Sequence, residues 1–148
     1  MSIGLLDVSA LIALLWEEHP FHRACAEWFA RESGAGWATC PITQAGCARI
    51  LSNPAFTANP PSVQAVIAIL KTATRPGLNH HFWPDSLPLS ALRVDQRSYL
   101  GHKQVTDAYL LALAMHHQGL LITFDRRMLQ LAPEGTQERK TILLLSEI

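Results

Sequence analysis

The chain opens with a short apolar run, Ile3-Gly4-Leu5-Leu6, that stops at Asp7 and soon gives way to the mainly apolar stretch Ala10 to Glu17. A brief apolar run closed by a polar residue reads as a buried strand, and Ser9 carries a side-chain oxygen suited to capping the helix that follows. Phe21, Ala24, Cys25, Trp28 and Phe29 then recur at helical spacing, with His22, Arg23, Glu27 and Arg31 on the other face, until Gly34-Ala35-Gly36 interrupts them. This spacing predicts an amphipathic helix. Trp37 to Cys40 is a second short apolar run, stopped by Pro41, and Thr43 is placed to cap a helix from Gln44 to about Ser52, where Asn53-Pro54 ends it.

After the turn Asn59-Pro60-Pro61-Ser62, the residues Val63, Val66, Ile67 and Leu70 form a helical stripe that fades at Arg75-Pro76-Gly77, and His80 to Trp83 reads as a third strand. From Val105 to Met115 the chain is apolar nearly all round, as expected of a helix packed inside a domain, with Asp107 in its first turn. Leu120 to Thr123 reads as a buried strand. Phe124-Asp125, a short helix, and a last strand from Thr141 to Leu145 follow. Strands alternating with helices predict an α/β fold of three α/β/α layers, with a mainly parallel sheet of about four to five strands covered on both faces. The length suits one domain over residues 1–148 that buries roughly two-thirds of its unfolded surface.

Composition narrows the function classes. The formal net charge is zero and the pI is about 7.1, so no global charge steers the chain toward nucleic acid or an anionic membrane, and any such contact needs a local patch. The longest stretch without formal charge, Ala108 to Phe124, is broken by His116-His117-Gln118-Gly119, and neither part is long enough to span a bilayer. The start lacks the pattern of a signal peptide. Cys25, Cys40 and Cys47 are odd in number and form no C-x-x-C pair, which favours buried thiols in a reducing cytoplasm over disulfides or a thiolate zinc site. A soluble cytoplasmic protein is expected.

The candidate chemistry lies in Asp7, Asp107 and Asp125, each at a junction between apolar and polar sequence. Acids beside apolar segments are costly unless paired, hydrogen-bonded or bound to a cation. Asp7 and Asp125 follow strands, where open α/β sheets gather their reactive groups, and Asp107 at a helix start can face the same edge. Three carboxylates ~4 Å apart would repel by ~4 kcal/mol per pair at an effective dielectric near 20. A divalent cation removes that cost, and magnesium, with manganese as a close substitute, suits hard oxygen donors and phosphate substrates. Such a site can hydrolyse phosphodiesters. Each aspartate alone is commonly a cap or a solvated turn residue; the combination is what carries the expectation.

Three segments carry a resemblance: Leu5-Leu6-Asp7-Val8-Ser9, Gln104 to Ala114 around Thr106-Asp107-Ala108, and Leu121-Ile122-Thr123-Phe124-Asp125. With them the chain resembles, nearly end to end, a PIN domain of the VapC toxin type, the ribonuclease half of bacterial toxin–antitoxin pairs. The resemblance implies a magnesium-dependent endoribonuclease, often a homodimer, held inactive by a small VapB-like antitoxin that occludes the acidic cleft. Asp7, Asp107 and Asp125 match the family's metal-binding acids, and Thr123 and Ser9 match the polar groups beside them. The family usually adds a glutamate on the helix after the second strand, a few residues before an arginine that here would be Arg49. This chain has Gly46 three residues before Arg49 and no glutamate in that helix; Gln44 is the nearest polar residue, able to offer an amide oxygen or hold a water, at one charge less.

Further residues have weaker readings. Asp85 and Asp95 sit in turn-like sequence and could add an outlying carboxylate. His19, His22 and Cys25 do not share a helix face as zinc ligands would need to, and His80-His81 and His116-His117 are adjacent pairs that point apart. Arg49, Lys103, Arg126 and Arg127 lie close in sequence to the acidic segments and are candidates for holding RNA phosphates. Trp16, Trp28, Trp37 and Trp83 mostly fit apolar stripes and read as core. The alternative to a nuclease is a catalytically weak PIN fold that acts as a binding or autoregulatory partner.

Overall fold

The computed structural model describes residues 2–92 and 100–146, so Asp95 lies outside the described residues. Its strands are β1 (Gly4–Leu6), β2 (Trp37–Thr39), β3 (His80–Phe82), β4 (Leu120–Thr123) and β5 (Ile142–Leu144). They form one five-stranded sheet in the order β3-β2-β1-β4-β5, with every pair parallel. Each crossover carries helix: α1 (Val8–Leu15) and α2 (His22–Glu32) join β1 to β2, α3 (Pro41–Leu51) and α4 (Val63–Ala73) join β2 to β3, α5 (Val105–His116) precedes β4, and α6 (Gln137–Thr141) precedes β5.

Because successive strand residues point to opposite faces, Leu5 and Leu6 enter different cores, as do Leu121 and Ile122. One core gathers Leu5 and Leu121 with Trp83, Tyr109, Leu110, Leu113 and Met128, beneath α5. The other gathers Leu6 and Ile122 with Leu11, Trp28, Trp37, Leu51, Val66 and Leu70, beneath α1 to α4. The three layers expected from the sequence are present, and parallel strands buried on both faces explain why these runs lack polar alternation. Trp28, Trp37 and Trp83 are buried, and Trp16 is half-buried. Among the described residues no helix is long and apolar enough to cross a membrane.

Two capping expectations need correction. The N-cap of α1 is Asp7, whose Oδ1 accepts from the Ala10 N–H, and not Ser9, because the helix starts directly where the strand ends. In α3 the N-cap is Cys40; Thr43 lies inside the first turn, and its hydroxyl oxygen accepts from the Cys40 N–H at 3.0 Å. Both helices therefore begin at the sheet's carboxyl edge with almost no intervening loop.

Candidate metal centre

Chain order reverses direction across the sheet between β1 and β4, since β2 and β3 lie on one side and β5 on the other. Such a switch point opens a crevice beyond the carboxyl ends of the two strands, where α/β folds place ligands. Asp7 directly follows β1, Thr123 ends β4, and Asp125 lies two residues further. Helices that connect parallel strands run antiparallel to them, so the first turn of α5 returns to this edge and brings Asp107 with it. An acid in a first turn is also favoured by the helix dipole.

Asp7 is 5% exposed. Its Oδ1 accepts from the Ser9 hydroxyl and from the Ala10 N–H, both at 2.8 Å, and the Thr123 hydroxyl donates to the same carboxylate. Burial outweighs these bonds: loss of solvation, with a smaller contribution from the Asp107 charge, pushes the carboxyl from its ordinary 3.8 up to about 6. Asp107 is half-buried and its carboxyl is also pushed up, first by burial and then by the charge of Asp125, while Arg127 opposes the shift. Burial acts on Asp125 in the same direction, but hydrogen bonds from the Arg127 side chain and backbone outweigh it and hold that carboxyl below its ordinary range.

The three acids thus share one edge and act on one another in sequence, Asp7 with Asp107 and Asp107 with Asp125. They do not close into a cage: among the described residues no three His, Cys, Asp or Glu side chains converge enough to hold an ion by themselves. One of them, Asp125, is paired with Arg127 instead. Thr123 ties the ends together, because its hydroxyl oxygen accepts from the Asp125 N–H at 3.0 Å while its proton serves Asp7.

Residues 4–133 match the family described as PIN domain, most of the chain. The chain belongs to the PIN domain family. It is similar to three proteins of Mycobacterium tuberculosis (strain ATCC 25618 / H37Rv). It is 43% identical over 137 residues to one named Ribonuclease VapC39, covering 91% of this chain and 97% of the relative. It is 40% identical over 137 residues to Ribonuclease VapC44, covering 92% and 95%, and 38% identical over 144 residues to Ribonuclease VapC38, covering 95% and 100%. The likeness expected from the sequence is therefore to the VapC type of PIN domain.

On this PIN domain, Gln44 occupies the first turn of α3 at the carboxyl edge of β2, the strand beside β1. Its Nε2 donates to Thr39 Oγ1 at 2.9 Å, and the same oxygen lies 2.7 Å from His80 Nε2. With its nitrogen so held, the amide keeps Oε1 free of that bond, and the residue retains a hard-oxygen donor. Position 46 offers no alternative, since a Cβ on Gly46 would meet Val8 Cγ2 at 2.6 Å where α3 crosses α1. No local pattern points to the Gln44, Thr39 and His80 network, because Thr39 and His80 are 41 residues apart and only strand pairing joins them.

The basic candidates separate. Arg49 sits in the last turn of α3, about 12 Å along the helix from Pro41 at the edge. Lys103 and Arg126 are exposed near the segments that carry Asp107 and Asp125. Arg127 grips Asp125 directly: Nε lies 3.0 Å from Oδ1 and 3.2 Å from Oδ2, and Nη2 lies 2.9 Å from Oδ2. Asp85 is exposed. His22 Nδ1 lies 2.7 Å from Ala13 O, His19 Nδ1 accepts from the Phe21 N–H, and Cys25 Sγ donates to Ala10 O, so each of that trio is engaged locally.

The donor chemistry fits a hard divalent ion: the side chains at this edge offer carboxylate and amide oxygens, one of the acids being almost fully buried. A raised carboxyl is penalised when charged, so the Asp7 cost is absent below its ordinary value of 3.8, grows as pH rises to about 6, and is complete above it. The rise corresponds to about 3 kcal/mol at most. Asp7→Asn, which keeps a capping oxygen, should therefore stabilise the metal-free protein at pH 8, and the gain should shrink on acidification from pH 6 to 4. Urea denaturation of both proteins across that range measures it; a loss of stability at pH 8 contradicts the assignment.

Proposed function

We propose that this PIN domain is a divalent-metal-dependent endoribonuclease, the toxin of a type II toxin–antitoxin system, hydrolysing RNA phosphodiester bonds at the crevice between β1 and β4. The observation that carries the reading is Asp7, a carboxyl stripped of solvent at the switch point and coupled to a second acid. The names of the similar proteins, Ribonuclease VapC39 and VapC44, support RNA as substrate.

In this reading Asp7 and Asp107 are the principal holders of the ion, Asp125 completes the set and Gln44 offers Oε1. Magnesium, or manganese in its place, supplies an acidified water and offsets charge at the phosphate. Thr123 keeps Asp7 aimed by donating to it. The attacking water forms a bond from its oxygen to phosphorus as the ester P–O bond opposite breaks; the departing oxygen takes up a proton, and the proton lost by the water passes to solvent. Lys103 and Arg126 hold flanking phosphates, and Arg49, further off, holds a more distant one. The partners are RNA, a small VapB-like antitoxin over the acidic edge and a second copy of the chain, in the cytoplasm; residues 1–148 act as one domain.

A second reading, a catalytically weak PIN domain that serves as a binding or autoregulatory partner, is favoured by a helix α3 without the glutamate the family usually has there, Gln44 being its nearest polar residue. Metal linkage separates the two. A nuclease gains thermal stability with millimolar magnesium by mass action, loses that gain with Asp107→Asn, and cuts RNA until chelator is added. A purified chain that cuts no RNA in magnesium or manganese overturns the first reading. Gln44→Glu restores a charge and should tighten magnesium binding roughly fivefold, the equivalent of about 1 kcal/mol, by calorimetric titration. An unchanged or weaker affinity removes Gln44 from the donor set.

A further inference from the structure

Arg127 and Asp125 make a forked contact that leaves little of the carboxylate for anything else. Three guanidinium bonds reach the two oxygens, and Oδ1 also accepts from the Arg127 backbone N–H at 2.9 Å. A cation in the crevice and this guanidinium compete for the same lone pairs, and their like charges repel at that distance. The contact nonetheless breaks at little cost: the Arg127 side chain is 75% exposed and that of Asp125 28%, so solvent screens the pair. Asp125 lies two residues beyond the end of β4, so the guanidinium bonded to it sits at the same sheet edge as the site. A planar guanidinium released at that edge matches the two oxygens of a phosphodiester as well as it matches a carboxylate.

We infer that Arg127 is a parked phosphate clamp, which occupies Asp125 in the metal-free protein and moves to the RNA phosphate once a divalent ion takes its place on Asp125. This rests on the metal-dependent reading above and adds to it an order of events, with the ion first and the RNA grip second. It also separates Arg127 from Lys103 and Arg126, since among the described residues the ion pair to a site acid is that of Arg127 with Asp125.

The test titrates magnesium and manganese into wild-type, Arg127→Ala and Arg127→Lys proteins without RNA, followed by calorimetry and thermal denaturation, then measures cleavage of a short RNA at saturating metal. Arg127→Ala should bind metal two- to fivefold more tightly, the scale expected from removing one exposed ion pair, and raise KM about tenfold with a smaller change in kcat. Arg127→Lys, which keeps the charge and loses the fork, should fall between the two on both measures. Unchanged metal affinity, or unchanged KM, in Arg127→Ala overturns the inference. If the wild type neither binds metal nor cuts RNA, the metal-dependent reading fails and takes the clamp with it; if the wild type does both and Arg127→Ala matches it, the clamp alone fails.

Discussion

Asp7 is charged where the fold offers it almost no water, and the rest of the acidic edge is arranged around that fact. A parallel sheet covered on both faces requires strands that are apolar on both faces, as Leu5, Leu6, Leu121 and Ile122 are. Polar chemistry can then enter only where a strand stops. At the end of β1 the chain stops on an aspartate that also caps α1, and its neighbour β4 stops on a buried threonine whose hydroxyl turns toward it. Hydrogen bonds from Ser9, Ala10 and Thr123 compensate part of the lost hydration, and the carboxyl still ends at about 6.

From that point outward the site grades in solvation and in charge. Asp7 is buried and pushed up, Asp107 is half-buried and pushed up with Arg127 opposing, and Asp125 is more open and held down by its arginine. The gradient means that the metal-free edge is comfortable only at its exposed end, where a protein cation already neutralises the carboxylate. At the buried end no such partner is found among the described residues, and burial there leaves the charge of Asp7 the least compensated of the three. This asymmetry distinguishes the edge from a surface cluster of acids, which solvent and salt would screen evenly.

Much of this was legible along the chain, for a physical reason: strands that end abruptly on a polar residue are conspicuous when both of their faces are apolar. The alternation of short apolar runs with helical stripes gave the layers and the parallel sheet, and Asp7, Asp107 and Asp125 stood out at their junctions. What escaped notice depends on distances no pattern encodes. Ser9 is the better-looking cap for α1, yet the absence of a loop after β1 makes Asp7 serve instead. Thr39 meets Gln44 and His80 only because β2 and β3 pair in register. Gly46 reads as a weak helix position until the crossing of α1 and α3 shows that a side chain would strike Val8. The Asp125–Arg127 fork has a local signal, an acid and an arginine two residues apart at a helix start, but that spacing fits a phosphate-holding arginine as well as an ion pair.

The central claim, that this edge carries an unsolvated negative charge which a divalent ion relieves, is tested most directly by the ionisation of Asp7 itself. Carboxyl carbon NMR, followed through a pH titration of the metal-free protein and repeated in millimolar magnesium, reads that single group. The account predicts a midpoint at about 6 without metal and one well below the ordinary carboxylate value of 3.8 with it. A midpoint at or below the ordinary value in the metal-free protein, unmoved by magnesium, would contradict it.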